Sequence, residues 1–272
     1  MFEIIKFFAN ILGYLLNALY NICGNFGIAI ILFTLVTKIL LIPLIIKQQK
    51  ETKKMAKVQP LLVELQEKYR NDQQRYLEEY NKIRQDYKFN PFSGCLLSLI
   101  QIPIILAMFY MVSHPLTYMK KMDVTQIEQL KTQWGIVQNT GRYYPEIEII
   151  KKDSNIGINM DFLGINLGDV PAQNSANLYL LIIPALSVLV TVFSILQTNK
   201  IQKEMNKDNP QFEETQQSMR VMNYMLPFLS GYIAYQVPLG LGLYWLTSNL
   251  LQIVQQKYVK YYMKKEEEIF NG

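Results

Sequence analysis

The sequence predicts an all-α polytopic membrane protein, with a core of five transmembrane helices, a cytoplasmic helical hairpin and an N-terminal amphipathic helix lying in the interface. Three observations predict it. Half of the 272 residues are hydrophobic and 18% are charged, with mean hydropathy just above zero, too oily for an ordinary soluble domain. The apolar residues gather in five runs, at 26–46, 92–112, 178–197, 221–236 and 239–254, each near the roughly 20 residues that a helix needs to cross about 30 Å of hydrocarbon. The basic residues behind the net charge of +5 fall between those runs, an arrangement that sets membrane topology rather than a nucleic-acid-binding face.

Residues 1–25 place Ile4, Phe8, Ile11, Leu15 and Leu19 at helical spacing, with Glu3, Lys6, Asn10, Gly13 and Asn17 opposite. This reads as an interfacial amphipathic helix, with an extra spanning helix as the alternative. A signal peptide would have a basic start, a uniformly oily middle and small residues before the cut, and Ile22 before Cys23 spoils a lipoprotein site. The first crossing is 26–47. Residues 48–91 form the cytoplasmic hairpin: Met55, Val58, Leu62, Leu65 and Tyr69 repeat three and four apart, then Leu77, Tyr80, Ile83 and Tyr87 do so again. "RNDQQ" breaks the pattern, with Asn71 and Asp72 as turn and cap residues, and Pro60 predicts a kink or a restart. Packing the two helices against each other buries both stripes.

The remaining crossings are 92–113, 178–198, 220–236 and 239–256. Between them lie an extracytoplasmic loop at 114–177 and a cytoplasmic loop at 199–219, and a cytoplasmic tail follows at 257–272. Residues 47–91 carry eleven Lys and Arg, whereas 114–177 carry six, outnumbered there by seven Asp and Glu. The positive-inside rule therefore puts the N-terminus outside and the C-terminus inside. Lys200, Lys203, Lys207, Lys257, Lys260, Lys264 and Lys265 fall on the inner side as well. Cys23 and Cys95 then lie on opposite faces, which forbids a disulfide, and no metal or cofactor signature is present. Within the outer loop, "PEIEIIKKDSNIGINMDF" predicts a short hairpin turning at 152–155.

Lys38 is the residue that bears on function. It stands two positions past the middle of the 26–46 run, where an ammonium costs about 2.5–3.5 kcal/mol on insertion scales. Some 12 Å separate it from the interface, about twice its side-chain reach. None of the five runs contains an Asp or Glu, so deprotonation, backbone carbonyls or a water-filled cavity remain as escapes. Polar residues elsewhere in the runs favour the cavity: Thr34, Thr37, Gln101, Thr191, Ser194, Gln197, Asn223, Ser230, Thr247, Ser248, Asn249 and Gln252. Many of these would equally serve as helix-to-helix hydrogen bonds. An enzyme is not expected, because the runs hold no acid and the single histidine, His114, sits at a helix end beside Pro115. A positive charge in a wet groove suits a transient acidic guest.

The stretches "GIAIILFTLVTKILLIPLIIKQQKETKKMAKVQPLLVELQEKYRND", "FNPFSGCLLSLIQIPIILAMFY" and "VPLGLGLYWLTSNLLQIVQQK" resemble the YidC and Oxa-type membrane protein insertases, in order and over nearly the whole chain from 26 to 257. The resemblance implies a five-helix core around a hydrophilic groove open to cytoplasm and lipid and closed to the outside. It puts Lys38 where the family usually has an arginine that attracts acidic residues of a client; lysine keeps the point charge and loses the bidentate fork. By the same resemblance Thr34 and Trp245 face the client and Gln197 lines the groove wall. Trp245 also reads as an interface anchor. Lys38, Thr34, Thr37, Gln101, Gln197 and Trp245 are thus the candidate client-binding residues.

The hairpin resembles the family's mobile cytoplasmic hairpin, and the N-terminal helix its peripheral helix. "FLGINLGDVP" resembles the stretch before the third crossing, which leaves 119–158 as an insertion. No large periplasmic domain is expected. The implied partners are nascent membrane-protein clients, membrane lipids, a Sec translocon, the signal recognition particle pathway and the ribosome, at a bacterial plasma membrane. Two other classes compete with an insertase and chaperone: a small-anion channel or carrier with Lys38 as filter, and a purely structural translocon subunit.

Overall fold

The computed structural model describes residues 2–88, 93–136, 144–174, 176–205 and 210–271. Most of the described residues lie in α-helices, α1 (Phe2–Cys23), α2 (Phe26–Lys68), α3 (Gln73–Asp86), α4 (Ser93–Ser113), α5 (Pro115–Tyr118), α6 (Val124–Gln133), α7 (Pro145–Lys152), α8 (Ile182–Met205), α9 (Pro210–Gln236) and α10 (Leu239–Asn271), with short 3-10 turns and a two-stranded hairpin between them. Among them, Phe26–Met55 and Leu178–Ile201 are long and apolar enough to cross a membrane, and Ile102–Ser113 is a shorter apolar helix. The chain forms two compact units.

The first unit comprises Met1–Ile39, Gln101–Val192 and Pro227–Leu251. Its core joins Ala9, Leu16 and Tyr20 of α1, Ile30 and Phe33 of α2, Met108 and Met111 of α4, and Leu239 and Leu243 of α10. α1 packs into this unit on a face beside its predicted apolar stripe and leaves part of that stripe exposed. Ile5, Ala9, Leu16 and Tyr20 are buried while Phe8 and Ile11 are exposed. Gly13 explains the difference: a Cβ there would come within 2.2 Å of the Tyr118 carbonyl oxygen. The residue that the helical period assigns to the polar side is the one that lets the two backbones close.

Residues 145–173, within the segment expected to be the extracytoplasmic loop, are folded. Residues 145–152, expected as the first strand of a hairpin, are helix α7 instead, with Pro145 in its first turn, Glu146 and Glu148 near its N-terminus, and Lys151 and Lys152 near its C-terminus. That charge order complements the helix dipole and overrides the strand-like alternation of "EIEII". Glu146, 3% exposed, accepts hydrogen bonds from the Thr117 amide at 3.0 Å and the Thr117 hydroxyl at 2.6 Å, which ties α7 to α5. Lys121 donates to the carbonyl and to the side-chain oxygen of Asn10, both at 3.1 Å, and burial draws its ammonium below the usual lysine value. The hairpin lies later in the chain, with Asp161 paired to Asn166 and Phe162 to Ile165. Its turn residues Leu163 and Gly164 have φ of 55° and 78°, the pair of left-handed residues of a type I′ turn. For a leucine that conformation costs roughly 1–2 kcal/mol.

This loop satisfies the otherwise unpaired amides at the starts of two helices. The Phe26 amide donates to the Asn159 carbonyl at 2.9 Å, and the Leu239 and Gly240 amides donate to the Asp169 and Leu167 carbonyls at 2.9 and 2.8 Å. Asn25 caps α2 by accepting from the Gly27 and Ile28 amides, while its own amide group donates to the Asp161 carbonyl at 2.6 Å. The Tyr20 hydroxyl donates to the Gly157 carbonyl and accepts from the Asn159 amide.

The second unit comprises Leu40–Ile100, Phe193–Leu226 and Gln252–Gly272. Here α2 continues past residue 47 to Lys68 and runs through Pro43 and Pro60 without restarting. A proline removes one backbone donor, and the turns on either side carry the helix across it. After the break, Asp72 caps α3 by accepting from the Arg75 amide at 3.1 Å. Val58 and Leu62 pack with Met55, Tyr80 and Ile83, the seam expected of the cytoplasmic hairpin. Lys50 pairs with Glu266 at 2.5 Å, Lys260 pairs with Glu204, and Thr198 bonds the side-chain amide of Gln256.

Candidate functional site

Three of the predicted residues share one stretch of α2. Thr34, Thr37 and Lys38 stand at i, i+3 and i+4, which puts them on one face of the helix. The Thr34 hydroxyl donates to the Ile30 carbonyl at 2.6 Å, and that of Thr37 lies 2.9 Å from both the Phe33 and the Thr34 carbonyls. Their hydrogens are satisfied on the helix's own backbone, as is common for threonines in apolar helices, and their lone pairs remain as acceptors. Thr34 is 1% exposed, whereas Thr37 and Lys38 are half-buried. A polar guest would therefore meet Lys38 and Thr37 first, with Thr34 behind them. Leu35 and Ile39 are exposed and give α2 an apolar flank beside the polar one.

The other polar residues of the first unit divide by geometry. The Thr191 and Ser230 hydroxyls lie 3.0 Å apart, and the Asn249 amide donates to Thr191 at 3.2 Å, so α8, α9 and α10 are tied through one buried cluster. These are the helix-to-helix bonds that the sequence left open as an alternative to groove lining. His114, at the start of α5, lies with its ring 6.0 Å from that of Tyr110 and 6.4 Å from that of Tyr118.

A family model described as 60Kd inner membrane protein matches residues 18–267. The chain belongs to that family. It is 33% identical over 255 residues to a protein named Membrane protein insertase YidC from Fusobacterium nucleatum subsp. nucleatum, with 93% of this chain and 94% of that one covered. A protein of the same name from Caldanaerobacter subterraneus subsp. tengcongensis is 30% identical over 261 residues, 96% of each chain. One from Treponema denticola is 29% identical over 256 residues, 94% of this chain and 38% of the relative.

Within this member of the 60Kd inner membrane protein family, the remaining predicted residues scatter over other helices. Trp245 stands half-buried on α10 in the first unit, and Gln197 half-buried on α8 in the second. Gln101 belongs to α4, and its side chain lies outside the described residues. What the sequence did not single out is the polar lock formed by Tyr20, Asn25 and Asn159. Its signal was present in the density of Asn, Gly and Asp over 153–169, residue types suited to capping and tight turns.

Proposed function

We propose that the protein is a membrane protein insertase and chaperone of the bacterial plasma membrane. Membership in the 60Kd inner membrane protein family supports this, as do relatives named insertases that align over nearly their whole length. In this reading five helices cross the bilayer with the N-terminus outside and the C-terminus in the cytoplasm, and α1 lies in the interface with Phe7, Phe8, Ile11 and Tyr14 exposed to lipid. Nascent membrane proteins enter a hydrophilic groove open to cytoplasm and lipid. Lys38 draws in acidic translocated segments, Thr37 and then Thr34 offer acceptors along the same face, and Trp245, Gln101 and Gln197 contribute from the other helices.

The observation that carries the proposal is Lys38 itself, a basic residue within the apolar span that begins at Phe26, on the same face as two threonines whose oxygens can still accept. The cytoplasmic hairpin would receive clients and engage the Sec translocon, the signal recognition particle pathway or the ribosome. The relatives described above carry no channel or carrier name, so the small-anion reading gains no support. Photocrosslinkers placed at 34, 38 and 245 during synthesis of a single-span client test the proposal. Client adducts at 38 and 245 are expected, with a weaker adduct at buried 34; adducts at none of the three would overturn it.

A further inference from the structure

We propose that the tip of the β1 (Asp161–Phe162) to β2 (Ile165–Asn166) hairpin is a lipid anchor, with Leu163 seated in the headgroup and upper acyl region of the leaflet at the Phe26 end of α2. The inference rests on the reading above only in that α2 crosses the membrane. Leu163 is 87% exposed and holds a left-handed backbone conformation. At this position of a type I′ turn Asn, Asp or Gly is favoured. A leucine there worsens the turn and gains nothing by packing, so its side chain is the feature that needs a partner. Asp161, the charged neighbour, is exposed and accepts from the Gly164 amide at 3.1 Å, so one of its carboxylate oxygens is held on the turn's own backbone.

The level of the tip is fixed by its attachments. The Asn25 side chain bonds the Asp161 carbonyl, the Phe26 amide bonds the Asn159 carbonyl, and a Cβ on Gly27 would lie 2.4 Å from the Phe162 ring. Phe162 is thus held against the first turn of the apolar span that begins at Phe26, and Leu163 is the next residue. Ile28 on that same turn is exposed, so the apolar surface of the tip continues that of the span. A leucine at this level removes apolar area from water when a leaflet is present. Because Lys38 lies eleven residues beyond Gly27, roughly 16 Å along the helix, an anchor at the hairpin also sets the depth at which the ammonium is presented.

The test uses the full-length protein with Cys23→Ser and Cys95→Ser and single cysteines at 163, 35 or 78, each carrying an environment-sensitive fluorophore, in phosphatidylcholine and phosphatidylglycerol vesicles. Lipids with a quencher high on the acyl chain should quench the label at 163, lipids with a quencher deep on the chain should quench the label at 35, and iodide should quench both several-fold less than the label at 78. If the label at 163 is as open to iodide as that at 78 while 35 stays lipid-quenched, the anchor is wrong and the span stands. If 35 is also open to iodide, α2 does not cross and both readings fall. Hydroxyl-radical footprinting of the unaltered chain reports on Leu163 without substitution: oxidation several-fold lower in vesicles than that of exposed Leu77 supports the anchor, and equal oxidation overturns it.

Discussion

In the first unit, Ile30, Phe33, Met108, Met111, Ile149 and Leu239 are fully buried, and the loop at 157–169 closes the starts of two helices with backbone and side-chain hydrogen bonds. In the second unit, the described hairpin seam rests on Val58 and Leu62, Ile201, Val259 and Met263 are buried elsewhere, and ion pairs join distant parts of the chain, Lys50 to Glu266 and Lys260 to Glu204. The difference teaches where each unit draws its stability. Apolar packing is not screened by salt and loses about 1 kcal/mol for a buried methyl group removed; partly exposed ion pairs are screened by salt and tolerate substitution. A small seam also opens locally at low free energy. Among the described residues the unit that carries Lys38 is the better packed, and the hairpin of the second unit is expected to open more readily.

Four substitutions or conditions would break or sharpen this contrast. The largest effect is expected for Ile149→Ala in α7, about 2–5 kcal/mol of lost stability by denaturant or thermal unfolding in detergent; a loss below that of Val58→Ala would deny that the first unit is the better packed. Glu146→Ala strands the Thr117 amide and hydroxyl and should remove about 1–3 kcal/mol, measured the same way, with faster hydrogen exchange confined to α5 and α7. Next, amides at 48–88 should exchange faster than those of α1 and the buried part of α4. Deletion of 58–82 should reduce client delivery more than it reduces the unfolding temperature of the remainder; equal protection of hairpin and core would end the argument for mobility. The smallest effect is salt. Raising it from low to molar concentration should speed exchange at the α10 end near Lys260 and Glu266 and leave α7 unchanged.

How much of this was legible in the sequence depended on which force decides each element. The seam of Val58, Leu62, Tyr80 and Ile83 was readable because a helical stripe is a local, periodic property. The Asp72 cap was readable for the same reason. The buried face of α1 was not, since Gly13 reveals its role only when Tyr118 is brought against it from a hundred residues away. The outer loop misled because "EIEII" alternates like a strand, while the helix is favoured by end charges and by Glu146 reaching Thr117, a tertiary contact. At the candidate site, residue type and spacing singled out Lys38 with Thr34 and Thr37 as polar residues of one apolar run, and the family resemblance supplied their role toward a client. It could not separate them from Thr191, Ser230 and Asn249, because a polar residue in an apolar helix looks the same whether it bonds a neighbouring helix or faces a groove.

The central claim is that the charge of Lys38 draws acidic client segments into the membrane, and client-dependent insertion assays of position 38 variants test it most directly. Lys38→Arg should retain insertion of clients whose translocated segment carries Asp and Glu. Lys38→Ala and Lys38→Gln should retain the fold yet slow those clients, and Lys38→Glu should slow them further. Replacing the client's Asp and Glu with Asn and Gln should make insertion nearly indifferent to the residue at 38. If Lys38→Ala unfolds the protein, or slows acidic and neutral clients alike, Lys38 is a structural residue and the electrostatic account is wrong.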